Sequence, residues 1–395
     1  MDQILKIGVD GRCLEGVRTG AGRYLLNVLK YAGKAPDVKF ILYFKHEIPT
    51  DAYFCEESFE LKRLVPLGVE SNAVFSHILL PRALKRDRVN LLFAPAYIAP
   101  WFCPVPFVVT LHDISFEANA VWTPPAEQLL LRAVARKAAY NAKHIITISQ
   151  FSKDEITRLY GIPNDRISVT PLAADGVVSE AISEAEEKDI ITKFGITGNF
   201  IFTVGIFINR RMPLETLYGF AGVARRTPGL QLLAVGKDRT HPSLGIRDHI
   251  ERINAALGRP AVLVAASATD RELDVLYRKA KLLVWLSAYE GFGLPPLEAM
   301  RVGTPVITSN TSSLPEVVGD AALRIGSPEG AKSATGGVEL EAGPAIGAVS
   351  DAMRRLLTDE ALRQWLIARG KARAMQFSWQ KTAEETLAVL REAAT

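Results

Sequence analysis

Short apolar runs alternate with longer amphipathic stretches along the whole chain. The apolar runs have the length of buried β-strands, whereas the longer stretches repeat apolar residues at helical spacing. In the first half we predict strands at 4–9, 39–44, 91–93, 107–111 and 144–148, and helices at 22–33, 73–86, 127–142 and 151–160. In the second half we predict strands near 199–204, 230–235, 261–265, 282–286 and 305–307. This alternation predicts an α/β protein whose parallel sheets are flanked by helices.

A break in this pattern lies near residues 170–176, where a strand ends in turn residues and an acidic, Ala-rich segment follows. With 395 residues, the chain is also too long for one typical core. We therefore predict two α/β domains, residues 1–173 and 174–376. Because ligands of open α/β sheets bind beyond the carboxyl ends of the strands, we expect a cleft between facing domains. Residues 326–346, rich in Gly, Ala, Ser and Glu, are predicted to form a surface insertion.

One uncharged stretch, residues 91–111, is long enough for a membrane-spanning helix. Prolines interrupt it and exclude one regular helix: Pro95, Pro100, Pro104 and Pro106. We predict instead two strands joined by an apolar loop that carries Tyr97, Trp101 and Phe102. Packing into the core is the expected role of this loop, and contact with a lipid or a hydrophobic acceptor is the alternative.

The segment 289–298 reads YEGFGLPPLE and places two carboxylates, Glu290 and Glu298, around a Gly-Phe-Gly turn. Residues 294–296 are predicted to open a helix, because Pro is tolerated at a helix start, and Glu298 then lies about one turn into it. A helix N-terminus behind a Gly-rich turn binds anions, and carboxylates accept hydrogen bonds from sugar hydroxyls. The pattern indicates a phosphorylated, polyhydroxylated ligand, although ordinary strand-to-helix loops use the same residue types.

The string continues through residues 299–307 to 312–318, and in this complete form it closely resembles the retaining glycosyltransferases of family 4. Glu290 and Glu298 match the E-x7-E element of that family. The resemblance implies the GT-B fold, in which two Rossmann-like domains face each other across a cleft. The first domain would serve the acceptor and the second the nucleotide-sugar donor, and the final helix, within 377–395, would return to the first domain.

The resemblance also implies roles for individual residues of this element. Glu290 would contact hydroxyls of the donor sugar and act as a catalytic residue, and Glu298 would bind the ribose. Backbone groups at three positions would meet the sugar together with Glu290: Gly291, Phe292 and Gly293. The diphosphate would lie against Gly293 and Leu294.

His112 and Asp113 follow the predicted strand 107–111. A lone His is more often structural, but family 4 enzymes commonly carry His-Asp at this strand end, with the His against the donor sugar and diphosphate. The resemblance therefore makes His112 the catalytic candidate of the first domain, and Asp113 would cap the next turn or orient the His. The run 20–24, GAGRY, resembles the family's glycine loop near the donor phosphates and the acceptor, which assigns that role to Gly20 and Gly22.

Two adjacent Arg residues, Arg210 and Arg211, follow the first strand of the second domain. Guanidinium groups match phosphate oxygens and would neutralise a leaving diphosphate, although such dipeptides are commonly just surface residues. Many relatives read Arg-Lys-Asn here, so Arg211 occupies the position of a Lys and Met212 that of an Asn. An Arg in place of this Lys keeps the positive charge but lacks the compact ammonium group.

The sequence contains no Asp-x-Asp, the pair that usually holds a nucleotide-sugar diphosphate through a divalent metal. We therefore predict no metal and no cofactor, the nucleotide sugar being a GDP- or UDP-linked co-substrate. Ser152 and Glu155 have the spacing of a capping box. Ser378 is a suitable N-cap for the final helix.

Composition narrows the class of protein further. Hydrophobic residues make up 48% and charged residues 23% of the chain, as in ordinary soluble proteins. Three widely spaced cysteines argue against a disulfide framework or a zinc site: Cys13, Cys55 and Cys103. A signal-peptide pattern is absent from the start, so the cytoplasm is the expected location.

The formal net charge of +4 is mild, is taken to be spread through the chain, and gives no nucleic-acid signature. Two local basic runs stand out: Arg82, Lys85, Arg86 and Arg88, then Arg132, Arg136, Lys137 and Lys143. Such runs are typical of solvated helix faces. For a lipid-linked acceptor they would instead favour peripheral contact with the inner face of a membrane, at about 1 kcal/mol per residue.

The resemblance implies a retaining glycosyltransferase that moves a hexose from a nucleotide sugar to a glycan or lipid-linked acceptor in bacterial surface polysaccharide synthesis. Mannose from GDP-mannose is favoured, because YEGFGLPP and HDISF look like bacterial polysaccharide mannosyltransferases. The alternatives are a nucleotide-sugar epimerase or phosphorylase of the same fold, or a non-catalytic sugar-binding subunit. The acceptor, the linkage and the oligomeric state stay open.

Overall fold

The computed structural model of the protein describes residues 4–16, 20–65, 71–118, 122, 124–174, 182–326 and 346–395. The chain divides into two units. Unit 1 comprises Met1–Glu117, Ala126–Leu172 and Ser378–Thr395, and unit 2 comprises Ala118–Pro125 and Ala173–Phe377. Apart from its two end residues, the predicted insertion 326–346 lies outside the described residues.

Unit 1 is built on a parallel sheet. In the described part of the chain its strands are β1 (Leu5–Asp10), β2 (Val38–Phe44), β3 (Phe59–Arg63), β4 (Leu91–Ala94), β5 (Phe107–Thr110), β6 (His144–Thr147) and β7 (Ile167–Val169). They lie in the order β3-β2-β1-β4-β5-β6-β7, and every pairing is parallel. All residues of β4 and β5 are buried, as expected for strands covered on both faces.

Helices flank this sheet. They are α1 (Gly20–Ala32), α2 (Asn72–Val74), α3 (Leu80–Arg86), α4 (Ser115–Ala118), α5 (Pro125–Asn141) and α6 (Gln150–Tyr160), with a π-helical turn at Phe75–Leu79 and 3₁₀ turns at Arg12–Leu14, Ala52–Cys55 and Asn164–Arg166. No helix among the described residues is long and apolar enough to cross a membrane.

Unit 2 has a second parallel sheet. Its strands in the described residues are β8 (Phe200–Val204), β9 (Gln231–Val235), β10 (Val262–Ala265), β11 (Leu282–Trp285), β12 (Val306–Ser309) and β13 (Leu323–Ile325). Their order is β10-β9-β8-β11-β12-β13, again with parallel pairings only. The chain runs from β8 outward to β9 and β10, and then returns to place β11 on the other side of β8. The topological switch point of this sheet therefore lies between β8 and β11.

The helices of unit 2 are α7 (Glu184–Lys193), α8 (Pro213–Ala224), α9 (Ile246–Leu257), α10 (Asp270–Lys279), α11 (Leu294–Val302), α12 (Leu314–Val318), α13 (Ile346–Thr358) and α14 (Glu360–Ala374), with a 3₁₀ turn at Asn209–Arg211. The two sheets with their helices confirm the predicted α/β class.

The last helix, α15 (Trp379–Ala394), belongs to unit 1. Ser378 caps it as predicted, its side chain accepting a hydrogen bond from the backbone N–H of Lys381. The hydroxyl of Thr382 donates to the carbonyl oxygen of Pro171 at 2.5 Å. Leu390 is fully buried where α15 packs beside α1. These contacts confirm the predicted return of the final helix to the first unit.

Two strands that the hydrophobic pattern missed, β3 and β13, lie at sheet edges, whereas the strand expected to end at the break near residue 170 is β7. Edge strands carry charged residues and are often short, so they form no apolar run in the sequence. β3 reads FELKR and β13 reads LRI.

Two local predictions need correction. The single helix predicted at 73–86 is interrupted by a π-helical turn just before Pro81, which has no N–H to bond the carbonyl four residues earlier. The capping box predicted for Ser152 and Glu155 is wrong, because Ser149 is the N-cap of α6 and its hydroxyl accepts the N–H of Ser152 at 3.0 Å. Ser152 lies inside the helix and is buried.

Candidate active site

The loops that follow β8 and β11 meet at the switch point of the unit 2 sheet. Arg211 lies in the 3₁₀ turn after β8, and Glu290 lies in the loop after β11. The guanidinium Nε of Arg211 is 3.2 Å from Glu290 Oε1. The structure therefore brings together two of the predicted site residues from distant parts of the sequence.

Glu290 is buried and is held by neighbouring hydroxyl groups. Ser287 donates its hydroxyl proton to Glu290 Oε1 at 2.9 Å. The backbone N–H of Glu290 donates to Ser312 Oγ, also at 2.9 Å. The hydroxyl of Ser313 lies 2.9 Å from the carbonyl oxygen of Glu290 and 3.0 Å from that of Phe292, and both carbonyls accept from it. These hydrogen bonds hold both the backbone and the side chain of Glu290 in place.

Sequence reasoning gave no role to these three serines, Ser287, Ser312 and Ser313. Two of them stand inside the string on which the family resemblance rests. Ser312 has φ of 52°, a left-handed conformation that is uncommon for a residue with a Cβ. A strained residue beside a buried carboxylate is a local signal of a functional loop, but it becomes visible only in the structure.

Helix α11 starts where the sequence predicted, directly after Gly293. This residue has φ of 104°, and a Cβ there would lie 2.7 Å from Leu314 Cδ2. Pro295 and Pro296 fill the first turn and bring no N–H groups of their own. The donors left at this helix start are therefore the N–H groups of Gly293 and Leu294, the two residues predicted to meet the diphosphate.

Glu298 is buried one turn into α11, as predicted. The phenol of Tyr277, on α10, donates to Glu298 Oε2 at 2.7 Å. Tyr277 is itself buried, so its contact fixes the carboxylate in one position. The sequence gave no indication of this partner, because 21 residues separate the two.

Arg211 is held by a second contact besides Glu290. Its guanidinium carbon lies 4.3 Å from the ring centroid of Trp285, the last residue of β11, which is a cation–π distance. A Cβ at Gly205 would collide with Arg211 Nη1 and lie 3.2 Å from the Trp285 ring. Gly205 also has φ of 107°, so the backbone and the packing both require glycine there.

Arg210 has different partners from its neighbour. Its Nη1 donates to the carbonyl oxygen of Tyr289 at 3.1 Å, and its own carbonyl accepts the N–H of Ala288 at 2.7 Å. Arg210 therefore braces the loop that presents Glu290.

Met212, at the position where the family resemblance implies an Asn, adopts a left-handed conformation with φ of 50°. Asn tolerates this conformation better than Met and is also a better helix N-cap. Met212 is buried in the hydrophobic core of unit 2, which offsets part of that backbone cost.

In unit 1, His112 lies just past the end of β5. Its Nε2 is 3.0 Å from the carbonyl oxygen of Pro95, and since a carbonyl only accepts, Nε2 carries the hydrogen. The rings of Tyr24 and Tyr97 pack edge-on at centroid distances of 5.2 and 5.8 Å. Burial lowers the pKa of His112 to about 4, so the imidazole is neutral at pH 7.

Asp113 caps the following turn, one of its two predicted roles. Its Oδ1 accepts the N–H of Ser115 at 2.9 Å, just where α4 begins. The hydroxyl of Ser152 donates to the carbonyl oxygen of His112 at 3.3 Å, which helps to hold the strand end.

The glycine loop is described only from Gly20 onward, because residues 17–19 lie outside the described part. Gly20 is the first residue of α1 and is exposed, whereas Gly22 is buried. Their helix carries Tyr24, whose ring lies against His112.

Within the described residues, no three His, Cys, Asp or Glu side chains are grouped as ligands for a metal ion. The site residues of unit 2 offer carboxylates, a guanidinium and backbone N–H groups. Such a set binds hydroxyls and an anion.

Two parallel sheets flanked by helices, with a buried carboxylate at a switch point, are the features of the GT-B fold, and comparison with known families assigns the class of glycosyltransferase. The family model "Glycosyltransferase Family 4" matches residues 18–175, and "Glycosyl transferases group 1" matches residues 185–373. The chain belongs to this glycosyltransferase family.

Two curated relatives come from Escherichia coli. O-antigen chain mannosyltransferase B is 31% identical over 289 residues, covering 71% of this chain and 68% of that protein. Serotype-specific mannosyltransferase WbdA is 29% identical over 254 residues, or 61% of this chain, but the match spans only 28% of that longer protein.

Among solved structures, Anabaena Alr3699/HepE in complex with UDP and glucose aligns with a TM-score of 0.70 at 17% identity. The alignment covers 98% of this chain and all of that one. At this identity the likeness supports the GT-B fold alone.

Proposed function

We propose that the protein transfers mannose, from GDP-mannose, to a glycan or lipid-linked acceptor with retention of the anomeric configuration. The observation that carries this proposal is the Arg211–Glu290 pair at the switch point, next to the N-terminus of α11. The choice of mannose rests on the names of the relatives, which are O-antigen and serotype-specific mannosyltransferases. Surface polysaccharide synthesis is proposed on the same ground.

The proposed division of labour follows from the donors and acceptors of unit 2. Glu290 accepts hydrogen bonds from hydroxyls of the hexose, and the backbone of residues 291–293 lies against the sugar. Arg211 and the N–H groups of Gly293 and Leu294 hold the diphosphate, since a cation and a helix N-terminus both favour an anion. Glu298, fixed by Tyr277, accepts from the ribose hydroxyls. The Anabaena structure contains UDP and glucose, which is consistent with a nucleotide-sugar ligand for this fold.

The proposed reaction needs no side-chain nucleophile. The bond between the sugar C1 and the diphosphate oxygen breaks while the acceptor oxygen bonds to C1 on the same face. The acceptor's proton moves to the departing phosphate oxygen, which leaves as GDP. Stabilisation of the diphosphate charge and positioning of the acceptor then supply the catalysis.

We further propose that Arg211 and the helix N-terminus hold the diphosphate without a metal ion. Turnover is then expected to survive excess EDTA. His112 would contribute as a neutral group whose Nδ1 can accept a hydrogen bond from a sugar hydroxyl. The three cysteines are free thiols, which fits a reducing compartment such as the cytoplasm.

The test is an assay of GDP release from GDP-mannose with and without octyl α-mannoside as the acceptor probe, followed by NMR of the product. Release that depends on the acceptor, with an α-linked product, is the expected result. Release without acceptor, or no release from any of GDP-mannose, UDP-glucose and UDP-galactose, would contradict the proposal. A β-linked product would contradict retention alone.

A further inference from the structure

Unit 1 exposes large apolar side chains next to basic ones. Phe102 is 85% exposed, Trp101 is 48% exposed and Ile78 is 43% exposed. Trp101 and Phe102 lie in the loop between β4 and β5, so the expected packing of these two residues into the core is wrong. The set Ile78, Trp101, Phe102, Leu130 and Lys137 is called the aromatic-basic surface below.

Direct contacts join three separate segments at this surface. The ammonium group of Lys137, on α5, lies 4.8 Å from the ring centroid of Trp101 and 5.5 Å from that of Phe102. The His77 ring lies 4.8 Å from the Trp101 ring, and its Nδ1 accepts the N–H of Trp101 at 3.3 Å. Ile78 follows His77 in the chain. Lys137 and the loop therefore form one surface with the segment that precedes α3.

Leu130 extends this surface along α5. It is 63% exposed and stands seven residues before Lys137, so the two side chains lie on the same helical face. An exposed Leu on the helical face of Lys137, together with the exposed Trp and Phe that Lys137 contacts, is more apolar area than scattered surface residues give.

The excess positive charge lies in the segment of the sequence that contains this surface, and is not spread through the chain as expected. Residues 71–143 contain eight of the 47 Lys and Arg residues but only four of the 43 Asp and Glu residues, so the rest of the chain has 39 of each. The whole net charge of +4 therefore comes from this segment.

Part of this charge is already paired within unit 1. Glu117 binds both Arg132 and Arg136, and Asp87 binds Arg86. The other basic residues of the segment form no ion pair among the described residues: Arg82, Lys85, Arg88, Lys137 and Lys143. Of these cations, Lys137 lies against the exposed rings of Trp101 and Phe102. A cation beside exposed aromatic rings, in a segment with excess positive charge, favours an anionic partner with an apolar interior.

We propose that the aromatic-basic surface docks on an anionic lipid bilayer. Trp and Phe insert favourably at the boundary between headgroups and acyl chains, while Lys and Arg attract anionic headgroups. A second copy of the chain is a poorer partner, because a two-fold contact of this surface with itself would bring like charges together. The proposal does not depend on the sugar, the nucleotide or the transfer reaction.

Sedimentation with vesicles tests this directly on the full chain. We compare vesicles of phosphatidylcholine alone with vesicles that contain one third phosphatidylglycerol. Binding to the anionic vesicles is expected to be at least tenfold stronger, and to weaken when the salt is raised because exposed charges are screened. No donor or acceptor is present, so the result is separate from the test of the glycosyltransferase proposal.

A second exposed tryptophan, Trp365, provides the control for Trp101. Trp365, in unit 2, is 49% exposed and has the guanidinium of Arg369 at 5.4 Å from its ring centroid, much as Trp101 has Lys137. The double variant Trp101→Ser with Phe102→Ser is expected to lose about tenfold or more of its vesicle binding. Trp365→Ser is expected to bind like the wild type.

Lys137→Glu separates charge from apolar contact. It should weaken binding to the anionic vesicles several-fold at low salt and have little effect at high salt. Phe102→Ser alone keeps the test valid if the double variant fails to fold, because a side chain that is 85% exposed contributes little to the core. Unchanged thermal unfolding checks that each variant is folded.

Three outcomes would overturn the proposal. The first is a wild-type protein that does not bind anionic vesicles. The second is an equal loss of binding in Trp365→Ser and in the double variant Trp101→Ser with Phe102→Ser. The third is a concentration-dependent dimer that Phe102→Ser dissolves, since this would make the surface a contact between two copies of the chain.

Discussion

The two sheets present different chemistry beyond their carboxyl ends. In unit 2 the ends of β8 and β11 carry a charged pair, Arg211 and Glu290, held by hydroxyls and an indole ring. In unit 1 the end of β5 carries His112, which burial keeps neutral among aromatic rings. The charged pair in unit 2 suits a ligand that carries charge and many hydroxyl groups. The end of β5 in unit 1 offers a neutral imidazole beside the rings of Tyr24 and Tyr97.

This difference explains why charge stabilisation should be sought mainly in unit 2. A neutral imidazole that already donates to Pro95 cannot share a large negative charge. The guanidinium group of Arg211 carries a full positive charge, and the N-terminus of α11 carries a partial one. The following variants test whether the strand ends of unit 2 stabilise charge and those of unit 1 do not.

The largest effect is expected for Glu290→Gln. The change keeps the size of the side chain but removes the carboxylate that pairs with Arg211 and that is proposed to accept hydrogen bonds from the sugar hydroxyls. Turnover should fall by roughly 10²–10³, the scale seen when one preorganised electrostatic group is lost. Single-turnover transfer and calorimetric titration with GDP measure the two effects separately, and GDP affinity should stay within several-fold. Glu360→Gln, an exposed carboxylate of the same unit, is the control and should change neither quantity.

Glu298→Gln is expected to weaken GDP and GDP-mannose alike, because both contain the ribose. A lost hydrogen bond to a charged group corresponds to roughly 1.5–3 kcal/mol, or about ten- to a hundredfold in the dissociation constant. Tyr277→Phe, which only releases the carboxylate, should cost less, about 0.5–1.5 kcal/mol. Loss of affinity for the sugar nucleotide with unchanged GDP binding would contradict the assignment of Glu298 to the ribose.

His112→Ala should lower turnover by roughly three- to tenfold, as for one neutral hydrogen bond, with GDP affinity nearly unchanged. A loss of a hundredfold or more would show that His112 stabilises charge. The proposed difference between the strand ends of the two units would then be wrong. His144→Ala, another half-buried His with its pKa lowered by burial, is the matched control.

The lowered pKa of His112 also predicts that the stability of the protein depends on pH. The pKa of His112 lies near 6.5 in the unfolded chain and at about 4 in the folded one. The unfolded state therefore binds the extra proton first, and the free energy of unfolding should fall as the pH drops from 6.5 towards 4. Urea unfolding at pH 7 and pH 5 should show a smaller decrease for His112→Ala than for the wild type.

The smallest effect is expected for Trp285→Leu, which removes the ring under Arg211. A cation–π contact at a partly exposed site contributes about 0.5–1 kcal/mol, so kcat/KM should fall two- to fivefold. Trp285→Phe keeps a ring and should stay close to the wild type. In an Arg211→Ala background the Leu substitution should add no further loss, because its partner is gone. An equal loss in both backgrounds would mean that Trp285 acts on the core and not through Arg211.

The buried apolar strands and the start of α11 could be predicted from the sequence because their signals are local. Gly293 with Pro295 and Pro296 marks the helix start within four residues. Glu290 and Glu298 were found through the same contiguous string. The edge strand β13, by contrast, is three residues long with an Arg at its centre, and it leaves no apolar run to detect.

What could not be predicted depends on contacts between distant segments. Tyr277 reaches Glu298 from another helix, and Trp285 reaches Arg211 from another strand. The exposure of Trp101 and Phe102 likewise depends on packing that an apolar run does not reveal. Sequence periodicity reports which residues are apolar, but not which of them the fold leaves uncovered.

The return of α15 to unit 1 has a consequence for how the chain is made. On the ribosome, residues 173–377 are synthesised after the rest of unit 1 and before the helix that covers α1. At 5–20 residues per second, this leaves unit 1 incomplete for about 10–40 s, with the apolar surface that later receives Leu387 and Leu390 open to the cell. We therefore expect the nascent protein to be more prone to aggregation in that interval, through the uncovered surface of α1.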